Sequence, residues 1–361
     1  MGIGTLLIRA EAGPEIGAGH VMRCLALAQA WQDGGGRVVF AMAQSTPGIR
    51  ARLNDENCEI VLLNAVIGDS QDAEATASAA LERNASWIVL DGYAFDARYQ
   101  RHVGDSGCRL LYVDDLAACD EYRADIVLSP NLSGSESQYG GRTRDAQLLV
   151  GTRYSLLRRE FRRWANWTRT IPPIARKVLI TLGGSTPRDL AICILDALSQ
   201  IKSEVESTVF VVGATTENFD SLNRAAQSLS GKITFVKSAT DMGALMMQAD
   251  VAVSAAGSTC WELCSLGLPS LLMDVADNQT AEALELDRKG YAKYLGSATT
   301  LHPEKLANDI RELLHSEETR RSLSNKGREL VDGRGAERVV SAMLQANSGH
   351  AFVPAQQETH A

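Results

Sequence analysis

Short, uniformly apolar runs alternate along the chain with stretches in which apolar residues have helical spacing. In the first half, Val21–Trp31 and Ala73–Arg83 predict helices. The runs that predict strands are Thr5–Ile8, Arg37–Ala41, Glu59–Leu63, Trp87–Leu90, Arg109–Val113 and Asp125–Leu128. Because these runs are continuous and do not alternate with polar residues, they are typical of parallel strands covered on both faces. The repetition predicts a doubly wound α/β sheet.

A second series of apolar runs predicts a second sheet of the same kind. Its runs are Lys177–Thr181, Thr208–Val212, Ile233–Val236, Val251–Ser254 and Ser270–Met273. We therefore expect an N-terminal Rossmann-like domain at 1–150 and a C-terminal one at 177–345, with a cleft between them. Ligands of such sheets bind beyond the carboxyl ends of the strands, so the loops after the strands are the places to search.

The segment 151–176 between the two series predicts a connection, and the end of the chain predicts a tail. The connection carries arginines at positions 153, 158, 159, 162, 163 and 169 and ends in Ile171-Pro172-Pro173. This pattern favours an amphipathic connecting helix followed by a stiff linker, with the arginines on a solvated face rather than at a phosphate site. Residues 346–361 are polar and predict a frayed, disordered tail.

Composition narrows the class of protein. A length of 361 residues suits two domains, and 45% hydrophobic residues exclude a mainly disordered chain. The net charge of −8 argues against nucleic acid or an anionic membrane as a partner, but it permits a local site for a small anion. The seven cysteines form no CxxC pair, so we expect reduced core residues and no zinc site. The apolar start reads as a strand and not as a signal peptide, so the cytoplasm is the expected location.

The loop after the first strand carries the clearest candidate chemistry. Gly17 and Gly19 allow a tight turn close to a ligand, and the helix that follows offers free N–H groups to an anion. His20 lies at the positive end of that helix, which favours a neutral imidazole able to accept a proton. Arg23, one turn later, could contact a phosphate or a carboxylate. A glycine turn with a capping histidine is the structural alternative, but the position behind the first strand favours function.

The loop after the first strand of the second series has two compatible interpretations. Gly183, Gly184 and Ser185 leave backbone N–H groups open to a phosphate. Thr186 and Pro187 suit the cap and the first position of the next helix, which explains the same loop without a ligand.

A third glycine turn, after the strand Val251–Ser254, predicts a further phosphate site. Gly257, Ser258 and Thr259 precede a helix whose N-terminus could hold a phosphate. Glu262 has the spacing of a capping box with Thr259, and the functional alternative is a carboxylate that bridges two ribose hydroxyls.

Polar residues follow several other strands. Asn278 and Gln279 in the loop 274–279 suit contacts to sugar hydroxyl and amide groups. In the first domain, the segments 91–93 (DGY) and 114–115 (DD) and Asn131 also follow strands. Each of these residues alone is better explained as a turn former. Together, at one edge of one sheet, they indicate a cleft.

These motifs together resemble one family. Arg9, the segment 16–25 (IGAGHVMRCL), the segment 257–264 (GSTCWELC) and the segment 276–279 (ADNQ) resemble the UDP-2,4-diacetamido-2,4,6-trideoxy-β-L-altropyranose hydrolases of pseudaminic acid biosynthesis. The resemblance runs from about residue 5 to about residue 335. That family is similar to GT-B glycosyltransferases, especially the N-acetylglucosaminyltransferase of peptidoglycan synthesis, but it transfers the sugar to water.

The resemblance implies a role for each matching residue. His20 corresponds to the general base that activates water, and Tyr93 and Asn278 correspond to residues that line the sugar and the reacting centre. The residues implied in substrate or UDP binding are Arg9, Gly17, Gly19, Arg23, Gly183, Gly184, Ser185, Gly257, Ser258, Thr259, Glu262 and Gln279. Glu11 stands where many members have Asp, and Ala256 where many have Gly.

The resulting hypothesis is hydrolysis of the UDP-linked sugar, with inversion, by water activated by His20. We expect a monomer that needs no metal and no cofactor and whose partner is a small UDP-sugar. Two alternatives remain open. One is a GT-B glycosyltransferase in which His20 deprotonates an acceptor hydroxyl, and the other is a nucleotide-sugar binding protein without catalysis.

Overall fold

The chain folds into two parallel α/β domains. The computed structural model describes residues 2–13, 16–143, 146–184, 186–213, 219–227, 233–237 and 239–348. Its sheets have seven and six strands, each covered by helices on both faces. This arrangement confirms the predicted fold class of two doubly wound domains. Every run that the sequence pattern assigned to a strand forms one.

The N-terminal sheet has the strand order β3-β2-β1-β4-β5-β6-β7, and all its pairs are parallel. Its strands are β1 Thr5–Ala10, β2 Arg37–Met42, β3 Glu59–Leu62, β4 Ala85–Asp91, β5 Arg109–Val113, β6 Ile126–Ser129 and β7 Gln147–Val150. The helices between the strands are α1 Gly19–Asp33, α2 Pro47–Asp55, α3 Ser70–Glu82 and α4 Ala97–Gly104. The pattern did not predict β7, an edge strand in which only Leu149 is buried.

Caps distinguish α1 from the three helices that follow it. Thr46, Asp69 and Asp96 accept hydrogen bonds from backbone N–H groups in the first turns of α2, α3 and α4. The N-cap residue of α1 is Ala18, whose methyl side chain cannot accept such a bond. The first turn of α1, which contains His20, therefore keeps its backbone donors for another partner.

The segment between the domains is mostly irregular, and the predicted amphipathic connecting helix is reduced to a single turn. It contains a 3₁₀ turn at Thr152–Tyr154 and the single turn α5 Arg159–Arg162. The reason is that Leu156 packs into the N-terminal core, whereas its neighbour Leu157 packs into the C-terminal core. Consecutive side chains point in opposite directions along an extended strand, and a helix would turn them towards similar faces.

The predicted solvated face of arginines is only partly present: those at positions 153, 159 and 163 are exposed, whereas those at 158, 162 and 169 are partly or fully buried. Arg158 pairs with Glu262, Arg159 and Arg162 pair with Asp33, and Arg163 pairs with Asp241. Arg169 is buried and donates to the carbonyl groups of Leu266, Ala249 and Met246. Burial lowers the pKa of Arg169 to about 10. The arginines therefore attach the segment to both domains.

The C-terminal sheet has the strand order β10-β9-β8-β11-β12-β13. Its strands are β8 Lys177–Thr181, β9 Ser207–Val212, β10 Ile233–Lys237, β11 Val251–Ala255, β12 Ser270–Asp274 and β13 Lys293–Ser297. Its helices are α6 Arg188–Gln200, α7 Phe219–Gln227, α8 Met242–Gln248, α9 Thr259–Ser265, α10 Thr280–Lys289, α11 Pro303–His315 and α12 Glu317–Leu330. Helix α6 begins after Pro187 and Thr186 does not cap it, which differs from the prediction because the ψ of Pro187 is extended.

The last helix, α13 Gly335–Ser348, returns to the N-terminal domain. Val339 and Met343 pack in the same core as Leu25 of α1, and Trp87 donates a hydrogen bond to Asn347 over 3.1 Å. The sequence pattern placed the boundary of the C-terminal domain at 345 and a tail from 346, but α13 continues to 348 on the other domain. The rest of that tail, 349–361, lies outside the described residues. No helix among the described residues has the length and apolar character needed to cross a membrane.

Candidate active site

Gly13 and Gly17 pair with each other in the loop between β1 and α1. The backbone N–H and C=O groups of Gly13 and Gly17 are mutually hydrogen-bonded at 3.1 and 2.8 Å. Gly17 has φ +74°, a conformation that side chains other than that of glycine rarely adopt. Gly19 and His20 follow in the first turn of α1, at the carboxyl edge of the sheet. A Cβ atom added at Gly19 would have no heavy atom of the described residues within 4 Å. The space beside Gly19 is therefore open.

Arg9 lies in the core and not in the cleft. Its side chain is 0% exposed and forms two hydrogen bonds of 2.9 Å with Asp72 and an ion pair with Glu11. Glu11 in turn accepts hydrogen bonds from the backbone N–H groups of Ala43 and Gln44. The implied role of Arg9 in substrate binding is therefore corrected to one of support, because its guanidinium group is already paired and sealed from solvent. Glu11 likewise shapes the loop after β2.

Arg23 is also paired within the protein. It binds Asp91 through two hydrogen bonds of 2.7 and 2.6 Å and Asp115 through one of 2.7 Å. Its side chain is only 10% exposed. Burial alone would lower the pKa of Arg23, but the charges of Asp115 and Asp91 raise it well above its ordinary value. The expected contact between Arg23 and a phosphate is corrected here, since both aspartates already occupy the guanidinium group.

The structure brings His20, Tyr93 and Asn278 together between the two domains. The rings of His20 and Tyr93 meet edge to face with their centres 5.1 Å apart. The side-chain amide of Asn278, from the C-terminal domain, donates a hydrogen bond of 2.9 Å to the Tyr93 hydroxyl. Tyr93 is 56% exposed, so this cluster is accessible from the cleft. Partial burial and the charge of Asp115 raise the pKa of Tyr93 to about 12, which keeps the phenol protonated.

The imidazole of His20 presents two different nitrogen atoms to its surroundings. Nδ1 is buried and has no hydrogen-bond partner among the described residues. Among the described residues, the other nitrogen, Nε2, is not both buried and without a partner. A base must reach a proton on the reacting group, so Nε2 is the atom suited to that task.

The loops of the C-terminal domain contribute mainly backbone and neutral side chains to the cleft. A Cβ atom on Gly257 would lie 3.6 Å from Nε2 of Gln279, so these two predicted binding residues are neighbours. The Gln279 side chain accepts a hydrogen bond from the backbone of Val275, which fixes the loop after β12. Ser258 is exposed at the N-cap position of α9, and Thr259 is the first residue of that helix.

The environment of Glu262 fits neither of the two roles considered from the sequence, the capping box and the contact to ribose. Its carboxylate pairs with Arg158 at 2.9 Å, and the side chain is 10% exposed. Burial raises the pKa of Glu262, while Arg158 acts in the opposite direction. No side-chain cap of α9 is present among the described residues, so the capping box with Thr259 does not form. A ribose would meet a carboxylate that is already paired with the connecting segment.

The glycine loop after β8 touches the loop before α1. A Cβ atom on Gly184 would lie 3.2 Å from the backbone nitrogen of Ala18, so a side chain at this position would press against the opposite loop. Gly183 is exposed next to it, and Ser185 lies outside the described residues. The predicted anion-binding loops of the two domains therefore face each other directly across the cleft.

A second side chain of the C-terminal domain also binds the N-terminal domain near the site, and the sequence pattern did not identify it. Besides Asn278, Glu282 in the first turn of α10 accepts hydrogen bonds from the backbone and hydroxyl of Ser133 and from the backbone of Leu132. In the sequence, Glu282 looks like an ordinary acidic residue in the first turn of a helix. Only its burial, which the sequence does not display, separates it from a solvated residue.

Comparisons with known proteins agree with this geometry. Residues 178–337 match the model of the glycosyltransferase family 28 C-terminal domain. The crystal structure of MurG from Acinetobacter baumannii superposes with a TM-score of 0.65 at 17% identity, covering 95% of this chain and 99% of MurG. The chain thus has a GT-B glycosyltransferase-like fold.

Curated relatives align with most of the chain, and two of them are informative. The spore coat polysaccharide biosynthesis protein SpsG of Bacillus subtilis is 26% identical over 342 residues, which cover 94% of this chain and 97% of SpsG. The UDP-2,4-diacetamido-2,4,6-trideoxy-β-L-altropyranose hydrolase of Campylobacter jejuni is 23% identical over 290 residues, 79% of this chain and 97% of the hydrolase. Both similarities extend through the two domains.

Proposed function

We propose that the protein cleaves a UDP-sugar at the anomeric carbon, with water as the acceptor. The observation that carries this proposal is the meeting of His20 and Tyr93 with Asn278 between the domains. A base from one domain and an amide from the other surround a position where a sugar bound to a nucleotide diphosphate can react. Such a position suits a substrate that has a sugar half and a nucleotide half.

The proposed reaction is a single displacement. Oxygen of a water molecule bonds to the anomeric carbon while the bond from that carbon to the diphosphate oxygen breaks, and UDP leaves with the electron pair. His20 takes the proton of the water through Nε2. A positioned general base of this kind is typically worth about 10²–10⁴-fold in rate. Tyr93 and Asn278 hold the sugar in reach of that water.

The nucleotide half is assigned to the loops of the C-terminal domain. Gly183 and Gly184 face the diphosphate, and Gly257, Ser258 and Thr259 offer backbone and hydroxyl donors to it. Gln279 and Glu262 are assigned to the sugar and ribose side. For Glu262, this assignment requires that ribose hydroxyls share the carboxylate with Arg158.

The proposed substrate is UDP-2,4-diacetamido-2,4,6-trideoxy-β-L-altropyranose. Support comes from the motifs in the sequence and from the relative in Campylobacter jejuni whose name states that activity. Incubation with UDP-diacetamido-trideoxy sugars of different configuration, followed by NMR of the products, tests this choice. We expect UDP and free sugar from the L-altro substrate in the absence of any acceptor. Equal turnover of UDP-N-acetylglucosamine would contradict the assigned substrate.

A second candidate function is sugar transfer to a hydroxyl acceptor, which the match to the glycosyltransferase family 28 C-terminal domain favours. In that reaction His20 deprotonates the acceptor in place of water. The two functions differ in one requirement, because a transferase releases UDP rapidly only when its acceptor is present. UDP release is therefore measured without an acceptor and again with added sugar alcohols. A rate that the sugar alcohols do not raise would favour the hydrolase.

A further inference from the structure

Asp115 is a largely buried carboxylate that contacts residues of the candidate active site. It follows β5 and is 13% exposed. Oδ1 accepts hydrogen bonds from Arg23 over 2.7 Å and from the Asn131 amide over 2.9 Å, and Oδ2 accepts one from the Tyr93 hydroxyl over 3.4 Å. Its neighbour Asp114 has a different role, since it accepts bonds from two backbone N–H groups of its own turn. Only the second aspartate therefore faces the cleft.

The charges around Asp115 do not cancel. Asp91 and Asp115 share the single guanidinium group of Arg23, which leaves one formal negative charge in a nearly buried cluster. Burial acts to raise the pKa of the Asp115 carboxyl, but Arg23, the bond from Asn131 and the nearby imidazole of His20 lower it below the ordinary value. Asp115 is therefore ionised at neutral pH, and the tyrosine that donates to it, Tyr93, packs its ring against the imidazole of His20.

We propose that Asp115 is a positioning residue for His20, which stabilises the imidazolium ion through its unbalanced charge and links the ring to the C-terminal domain through Tyr93. The first part follows from Coulomb's law, because a negative charge beside a base becomes more favourable when the base takes a proton. The proposal rests on the proposed function, in which His20 takes a proton from water.

The second part follows from the direction of the hydrogen bonds. Asn278 donates to the Tyr93 hydroxyl, and that hydroxyl donates to Asp115. This chain runs from the C-terminal domain to the carboxylate next to the base. When the C-terminal domain moves away, Tyr93 loses its amide donor, and the ring that packs against His20 is held at one end only. The base is thus fully positioned only when both domains are in contact.

Other charged groups near Asp115 also contribute to the electrostatic field at His20. Arg23 and Asp91 face it from α1 and β4, and the carboxylate of Glu282 faces it from α10. The Cys24 thiol donates to Asp91 and not to Asp115. Asp91 provides a matched control because it has the same charge and the same arginine partner, whereas among the described residues it forms no hydrogen bond with Tyr93 or Asn131.

The first test is an NMR titration of the His20 ring in the substrate-free protein, with H20A used to assign its signal. We expect D115N to lower the titration midpoint by about one pH unit, as is typical when an opposite charge is removed. We expect D91N to lower it by less than half of that shift. A midpoint that D115N leaves unchanged, or that D91N moves equally, would overturn the proposal. If D115N does not fold by circular dichroism, D115S replaces it in the same titration.

The second test separates the charge from the hydrogen-bond chain. Y93F keeps the carboxylate but removes the hydroxyl, so we expect a several-fold lower kcat with the His20 midpoint unchanged. D115N should lower kcat and also move the acidic limb of the kcat/KM profile to lower pH. An unshifted limb with an unchanged kcat would show that Asp115 only supports the fold. If the titration behaves as expected but no UDP-sugar is cleaved by the parent protein, the proposed function fails and the electrostatic link between Asp115 and His20 stands.

Discussion

The two edges of the cleft differ in the kinds of residue that form them. The N-terminal edge contains buried charges that pair with one another, as Arg9 does with Asp72 and Glu11, and Arg23 with Asp91 and Asp115. The C-terminal edge consists mainly of glycine loops, a serine and two amide side chains. Its buried carboxylates include Glu262, which pairs with Arg158, and Glu282, which accepts hydrogen bonds from Leu132 and Ser133. Both edges have the same α/β topology, so the difference lies in the loops.

This contrast assigns different tasks to the two edges. Charges paired inside the N-terminal edge cannot neutralise a substrate, but they hold His20 and Tyr93 rigidly and set the field around them. Neutral loops can adapt to a nucleotide and release it without breaking an ion pair. We infer that the N-terminal edge performs the chemistry and the C-terminal edge binds the leaving group.

The largest expected effect comes from removal of the base. H20A should lower kcat by about 10²–10⁴-fold, because no positioned group then takes the proton from water. UDP affinity, measured by calorimetry, should change little, since the loops assigned to UDP are on the other edge. H102A is the control, as His102 is exposed and pairs with Glu74 on the surface. Near-full activity in H20A would exclude the proposed base.

Loss of the central arginine should affect stability rather than nucleotide binding. R23L leaves Asp91 and Asp115 buried without a counter-charge, so we expect unfolding to be easier by about 3–5 kcal/mol. Chemical denaturation measures this change, and R288L on the exposed surface of α10 serves as the control. If R23L keeps its stability but loses UDP affinity, the arginine binds the substrate after all.

The contact between the domains should appear as coupling between two variants. Y93F and N278A should each lower kcat/KM by up to about tenfold, the value of one hydrogen bond. The double variant should be little worse than the more affected single one, because both remove the same bond. N308A, a surface change near Arg311, is the control. Fully additive losses would mean that the two residues act independently.

We expect the smallest effect on thermal stability when an ion pair of the connecting segment is removed. Burial acts to raise the pKa of Asp33, but hydrogen bonds from Arg162 and Arg159 lower it below the ordinary value. A lowered carboxyl pKa stabilises the fold above the unfolded value of about 4, and this stability is lost as the pH falls through the folded value. Wild type should therefore unfold at a higher temperature than D33N at pH 7, with a difference that shrinks below about pH 4. D196N on an exposed face of α6 is the control, and a constant difference at pH 3 would contradict the assignment.

The sequence predicted the sheets because a uniformly apolar run such as Val251–Ser254 has few alternatives to a buried parallel strand. It also predicted which loops would meet, since the carboxyl ends of parallel strands share one edge and bring His20, Tyr93 and Asn278 to the cleft. The roles of these residues stay predictions.

Other features could not be predicted because they depend on partners far away along the chain. Arg23 looks available to a phosphate until Asp91 and Asp115, 68 and 92 residues away, are found to enclose it. The predicted connecting helix is reduced to a single turn because Leu156 and Leu157 enter different cores, and a local pattern contains no information on which domain each apolar residue will join. The return of α13 to the first domain escaped prediction for the same reason.

In the proposed reaction, water attacks the anomeric carbon and UDP departs. Turnover of the UDP-sugar in H₂¹⁸O, with mass spectrometry of both products, shows which atom the water oxygen joins. We expect one ¹⁸O atom on the anomeric hydroxyl of the free sugar, in a sample analysed before exchange with solvent, and none in UDP. Label in the UDP phosphate, or no UDP release until a hydroxyl acceptor is added, would contradict the proposed reaction.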